Sequence, residues 1–206
     1  MEQELAAAGF ATVCGVDEVG RGPLCGPVVA AAVILPSGGV VPSSLIGVND
    51  SKLLSPQQRE TFARAIRKDA LAVGVGLADP EEIDRINIRR AALLAMSRAI
   101  ANLQPLSISP DFILVDGRDL PEASPYPGRA VVKGDQKSAS IAAASIIAKT
   151  HRDAIMEQLA IQFPGYGWER NAGYPTAEHL RALETLGVTV VHRRTFRPVA
   201  RILEGV

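Results

Sequence analysis

Four carboxylates in the sequence stand where carboxylates are costly. Asp17 and Glu18 follow the apolar run Val13-Cys14-Gly15-Val16. Asp116 ends the most hydrophobic stretch of the chain, and Asp135 comes just past Val131-Val132-Lys133-Gly134. An ionised group at the rim of a buried sheet is expensive unless something neutralises it. If the four converge they repel one another, and they must take up protons or share bound cations. Hard divalent ions fit that need, since Mg²⁺ accepts one or two carboxylates together with waters and a substrate phosphate. Two such ions, about 3.5–4 Å apart, activate a water and stabilise the leaving oxygen of an in-line phosphodiester displacement. The chain has no CxxC and no His–Cys pairing with zinc-site spacing. The plainer alternative stays open, because Asp at a strand end also caps helices and starts turns. Asp17 and Glu18 pose a further problem: neighbours on a strand point to opposite faces. Either the strand ends at Asp17 and Glu18 turns inward, or Glu18 acts less directly.

The elements that must hold these groups read as alternating strands and helices. Thr12 to Asp17 and Val28 to Leu35 are strand-like, the second rich in β-branched residues. Between them VGRGPLCGP is a turn, and Gly20-Arg21-Gly22 has the freedom to make an anion nest. It is neither a Walker loop nor a dinucleotide fingerprint. Ser37 to Asn49 reads as a loop. Ser55, with Pro56 and Gln58 behind it, predicts a capped helix to about Asp69. Leu71 to Leu77 is a third strand, and Asp79-Pro80-Glu81-Glu82 opens a helical region. From Ile88 to about Leu103 the apolar period is 3.6 residues. Asp111 to Asp116 is a buried parallel strand by its near-continuous apolar run, and Ala130 to Val132 a fifth strand. Ser138 to about Phe163 is a long helix, and Thr176 begins a last helix that Gly187 ends. The pattern predicts a mixed five-stranded sheet flanked by helices. No linker divides the chain, so residues 1–206 read as a single domain, with about 165–206 a small C-terminal helical lobe.

Composition narrows the class. The 206 residues carry 22 basic and 22 acidic side chains, 47% apolar residues and two cysteines. That excludes disordered, collagen-like and coiled-coil proteins, and it suits a reducing cytoplasm. The longest apolar run, Val28 to Leu35, is far short of a membrane span. Residues 131–206 hold ten basic and seven acidic groups and all three histidines, and Arg193, Arg194, Arg197 and Arg201 crowd the end. Such a flank suits a polyanion, although a solvated tail would look the same.

GVDEVGRGPLCGPVV, NDSKLL, LVDG, VKGDQKS, ASIIAKTHRD, GYPT and HRRTF follow one another from about residue 15 to 198. This ordered series resembles bacterial ribonuclease HII. The resemblance implies a ribonuclease H-like α/β fold and hydrolysis of RNA in RNA–DNA hybrids and at single ribonucleotides in duplex DNA. It implies Asp17, Glu18, Asp116 and Asp135 as the catalytic, metal-holding set, with Mg²⁺ or Mn²⁺ in a two-metal site. It makes Gly20, Arg21 and Gly22 readers of the ribose 2′-OH, the group that separates RNA from DNA. Tyr174 then packs on the deoxyribose 3′ to the junction, and Lys52 and Lys149 touch phosphates. Asp153, four residues after Lys149, is explained by an ion pair on one helix face. Cys25 reads as a small loop residue and His192 as a phosphate or surface contact.

Three departures stand out. Ser138-Ala139 replaces a Pro-containing pair, Asn171-Ala172 replaces His-Lys before GYPT, and Leu53 replaces a second lysine. The last two remove positive charge, so weaker or more salt-sensitive binding is expected. The competing readings are ribonuclease HIII, which carries an extra N-terminal domain, and a hybrid-binding module without activity. A monomer is the expected state, since no exposed heptad or long apolar edge asks for a partner.

Overall fold

The computed structural model describes residues 1–36, 54–121 and 124–205. The expected loop from Ser37 to Asn49, and Lys52 with it, lies outside the described residues. Five strands, β1 (Val13–Val19), β2 (Val28–Ile34), β3 (Ala72–Ala78), β4 (Phe112–Asp116) and β5 (Gly128–Val131), form one sheet in the order β3-β2-β1-β4-β5. The first three are an antiparallel meander, while β4 lies parallel to β1 and β5 parallel to β4. The mixed sheet expected from the sequence is the one observed.

Each strand is apolar for a positional reason. β2 lies between two neighbours with helices on both faces, and every residue from Val28 to Ile34 is fully buried. Side chains of period two divide the core. Cys14, Val16, Ala30, Ala32, Ile113 and Val115 face helices α3 (Pro80–Ile86) and α4 (Ile88–Ala101). Ala31 and Val33 face α2 (Pro56–Asp69) and α5 (Ala139–Gln162), and Val13 and Leu114 meet α5 at Ile141. At Gly15 a Cβ would sit 2.1 Å from the Ser140 backbone, so only glycine lets α5 cross β1 this closely.

Helix starts are capped by side chains, at Ser55 as the sequence predicts. Ser55 and Gln58 close a capping box on α2, as Asp79 and Glu82 do on α3. Ser138 accepts from the Ile141 N–H at 3.2 Å to cap α5, and Thr176 caps α7 (Ala177–Leu186), which Gly187 ends. The Ser138-Ala139 departure thus supplies a cap, and Glu2 reinforces it. One carboxylate oxygen of Glu2 accepts from Ser138 Oγ at 2.7 Å, Ser140 N at 3.0 Å and Ser140 Oγ at 2.8 Å. Burial raises the Glu2 pKa, but these bonds outweigh it and the net shift is downward.

Four elements depart from expectation. β1 runs on through Val19 instead of ending at Asp17. Helix α7 is not the last, because α8 (Arg197–Glu204) follows it, starting at the Arg197-Pro198 pair. Short helices α1 (Glu2–Ala7) and α6 (Trp168–Asn171) were also not expected. Each is too short to show a period, and α1 buries Leu5 alone.

Candidate active site

Because β1, β4 and β5 run parallel, their carboxyl ends lie along one edge of the sheet. The strand order also reverses between β1 and β4, which is where open α/β sheets place ligands. The β1–β4 ladder stops at Val16 and Val115, while the β1–β2 ladder continues to Val19. Beyond Val16 the edge of β1 is therefore open. Three strand ends deliver the acidic residues there: Asp17 and Glu18 from β1, Asp116 from β4, and Asp135 from the 3-10 turn Gly134–Gln136 after β5.

Asp17 is 8% exposed and faces α5, where Ser145 hydrogen-bonds it; its Oδ1 also accepts from the Glu18 N–H at 2.7 Å. Burial, then the charges of Glu18 and Asp116, push its pKa well above the ordinary carboxylate range. Burial also raises Glu18; Arg21 opposes that rise and Asp116 adds to it. Asp116 Oδ1 accepts from the Gly134 N–H at 2.6 Å, which ties the Asp135 turn to the end of β4. Lys133, at φ 56°, makes the left-handed bend that swings this turn back. The structure brings Asp17, Glu18 and Asp116 into mutual electrostatic contact and sets Asp135 one residue beyond the Asp116 anchor. Glu18 stays inside the strand, on the face opposite Asp17. The open edge of β1, and not a strand end at Asp17, exposes it to the site, and its Oε1 meets Arg21 Nη1 at 3.3 Å.

The glycine turn and Tyr174 also meet. Leu24 N–H donates to the Gly173 carbonyl at 2.8 Å, and a Cβ on Gly22 would lie 3.3 Å from the Tyr174 ring, which is 43% exposed. Lys149 is one helical turn past Ser145 on the same face of α5. It pairs with Asp153 at 2.5 Å, as the spacing predicts, and lines a cleft of about 450 Å³ with Arg59 and Arg170. Asn171, one of the departures, faces inward: its amide donates to the Tyr166 carbonyl at 2.9 Å and its Oδ1 accepts from Gly173 N at 2.8 Å. It ties Tyr166 to the Gly173 that precedes Tyr174.

Two sequence readings need correction. His192 is no surface contact: it is 1% exposed, within a core of Cys25, Tyr166, Trp168 and His179, and Cys25 is fully buried there. His179 Nδ1–H donates to the Tyr174 carbonyl at 3.0 Å, leaving Nε2 to accept from Trp168 Nε1 at 3.0 Å. His192 Nδ1 accepts from Thr189 N–H at 3.0 Å, which leaves Nε2–H to face His179 Nε2 at 3.2 Å. Ligand atoms of Cys25, His179 and His192 lie within 4.8 Å of one another. Hydrogen bonds use every ring nitrogen, and burial pushes the Cys25 thiol up to about 12, so the cluster is core packing. Arg193 is also misread as part of a solvated flank, since it and Arg152 are fully buried. A single sequence gives no signal for this, because most of their partners are backbone carbonyls more than 100 residues away.

The paired imidazoles carry a pH prediction. Burial, then the neighbouring His179, lowers His192 to about 4, and burial lowers His179 as well. The unfolded chain therefore binds more protons below pH 6.5, so stability is full above that pH and falls towards pH 4. Trp168 is the single tryptophan and touches both rings, so its fluorescence should report loosening of this core across that window. A flat signal from pH 6.5 to 4 would contradict the neutral pair.

A mixed sheet ordered β3-β2-β1-β4-β5, with carboxylates where its parallel strands end, defines a ribonuclease H-like α/β enzyme. The family model for ribonuclease HII matches residues 14–199. The chain is 57% identical to the ribonuclease HII of Rhodospirillum rubrum over 192 residues, covering 93% of this chain and 86% of that one. It is 55% identical to that of Ruegeria pomeroyi over 203 residues, covering 98% and 83% respectively. The crystal structure of ribonuclease H2 from Pyrococcus horikoshii OT3 superposes with a TM-score of 0.79 at 29% identity, over 94% of this chain and 98% of that one. Bst-RNase HIII in complex with Mn²⁺ shares the fold at 21% identity and a TM-score of 0.70, over 99% and 73%. The chain belongs to the ribonuclease HII family and is an endoribonuclease acting on RNA–DNA hybrids.

Proposed function

We propose that this endoribonuclease depends on divalent metal and cuts 5′ to a ribonucleotide, in hybrids and at lone ribonucleotides within duplex DNA. The products carry 3′-hydroxyl and 5′-phosphate ends. One observation carries the reading: Asp17, Glu18 and Asp116 crowd one sheet edge and push proton affinities upward there. Cations satisfy such a group better than protons at neutral pH, and an all-oxygen donor set fits Mg²⁺ or Mn²⁺. Asp17 and Asp116 would hold the metals most directly, with Glu18 and Asp135 completing a two-ion site. When bound, the ions supply charge stabilisation and an activated water for phosphodiester hydrolysis.

The chain's own residues select the position. Gly20, Arg21 and Gly22 offer backbone groups to the 2′-OH, while the exposed Tyr174 ring covers the next sugar, where a 2′-OH would clash. Lys149 and Lys52 hold phosphates. Residues 1–206 act as one catalytic unit, with about 165–206 serving the substrate, as a monomer in the cytoplasm. Among the described residues no helix is long and apolar enough to cross a membrane.

The test is an end-labelled DNA duplex with one internal ribonucleotide, incubated with Mg²⁺, Mn²⁺ or EDTA. A single metal-dependent cut 5′ to the ribonucleotide is expected. Cleavage of long hybrids alone would leave the nuclease but remove the junction reading of Gly20–Gly22 and Tyr174.

A further inference from the structure

The glycine turn sits on two buried cations. Arg193 directs Nη2 to the carbonyls of Gly20 at 2.6 Å and Gly26 at 2.9 Å, and Nη1 to those of Pro23 at 2.7 Å and Arg21 at 3.1 Å. Its Nε reaches the Gly26 carbonyl at 3.0 Å, and its own backbone N–H takes the Leu24 carbonyl at 2.8 Å. Arg152 takes the carbonyls of Cys25 at 3.3 Å and Pro27 at 3.2 Å. Seven of the eight carbonyls from Gly20 to Pro27 are thereby turned onto these two residues. In a trans peptide the C=O of one residue and the N–H of the next point in opposite directions. With the Gly20 and Arg21 carbonyls held inward, the N–H groups of Arg21 and Gly22 must face outward, beside the Tyr174 ring.

Two buried like charges are an expensive way to fill a core, and here they satisfy backbone carbonyls that apolar side chains would leave unpaired. Burial, then repulsion from Arg152, lowers Arg193 to about 9, so it is still charged at neutral pH. The fork geometry of guanidinium, with five donors in one plane, is what the turn uses.

We infer that Arg193, backed by Arg152, is the positioning residue for ribonucleotide recognition: it fixes the peptide planes of Gly20 to Gly22 so that two successive amides face the substrate sugar. The inference deepens the junction reading of the glycine turn and rests on it. Arg193 is fully buried and spends its guanidinium on the turn's carbonyls, so its loss should disturb the aim of the turn and leave the phosphate contacts in place.

Arg193→Lys keeps a nitrogen donor and loses the fork. It should lower kcat on a single-ribonucleotide duplex by on the order of 10²-fold, the cost of a displaced reacting group. The inhibition constant of an all-DNA duplex of the same sequence should stay unchanged, and exchange of the bonded Leu24 and Gly26 amides should accelerate. Asp84→Ala is the gentler second variant. The Asp84 carboxylate anchors the segment next to Arg193 by accepting from Arg194 N at 2.8 Å, Thr195 N at 2.9 Å and Thr195 Oγ1 at 2.6 Å. It should show the same changes to a smaller extent even if Arg193→Lys fails to fold. Wild-type kcat with unaltered exchange in a folded Arg193→Lys, or in Asp84→Ala where that variant does not fold, overturns the inference. Gly22→Ala and Tyr174→Ala separate the two layers. If both cleave as wild type, the junction reading fails. If both are impaired while Arg193→Lys is not, only the positioning role fails.

Discussion

Asp116→Asn should abolish cleavage, lowering kcat/KM by on the order of 10³-fold or more, while the duplex remains bound. Asparagine is nearly isosteric and keeps an oxygen to accept the Gly134 N–H, the 2.6 Å bond that holds the Asp135 turn against β4. Backbone and turn are thus retained, and only the charge is removed. The charge of Asp116 is also one reason the Asp17 and Glu18 pKa values are raised, so its removal relieves repulsion in the metal-free protein. The variant should melt at or above the wild-type temperature although it is inactive. In wild type, Mg²⁺ or Mn²⁺ should raise the melting temperature by mass action, and Asp116→Asn should lose most of that rise. Thermal shift with and without metal, beside a cleavage assay, measures both. Wild-type turnover in the variant would remove Asp116 from the site.

What the sequence could show was set by the range of each interaction. The capping box of α2, the start of α3 at Asp79, the long α5 and the buried strands are written in residues a few positions apart, and all were legible. The strand-end carboxylates were legible because burial and charge conflict there in any fold. Glu18 was harder, since the outcome turned on where the β1–β4 ladder stops, a matter of tertiary register. Glu2, Arg152 and Arg193 were missed for one reason: each satisfies groups on the far side of the chain. Glu2 caps a helix 136 residues away, and Arg193 reaches back 173 residues to Gly20. Charged residues with such partners look like ordinary surface until the backbone is seen. His192 failed in the same way, because its neutrality depends on a core built from separate stretches of chain between Leu24 and Val199.

Gly20→Ala should be the most damaging substitution in the turn, and the contrast with Gly22→Ala says why. Gly20 has φ +94°, where an L side chain is strained, and a Cβ there would lie 2.2 Å from Arg152 Nε and 2.6 Å from its Cδ. Arg152 cannot swing away cheaply, since it is fully buried and its donors are committed to three carbonyls. Backbone strain and displacement of a buried guanidinium together should cost about 3 kcal/mol or more of stability, with cleavage lost. At Gly22, which has no positive φ, the new Cβ meets only the edge of the Tyr174 ring at 3.3 Å, and that ring is exposed enough to move. Gly22→Ala should therefore fold with near wild-type stability and lose activity only where the ring and the turn must grip one sugar together. Urea unfolding with cleavage of a single-ribonucleotide duplex distinguishes the two. Equal stability losses at both positions would mean that the turn is soft, and that the buried arginines beneath it do not fix its path.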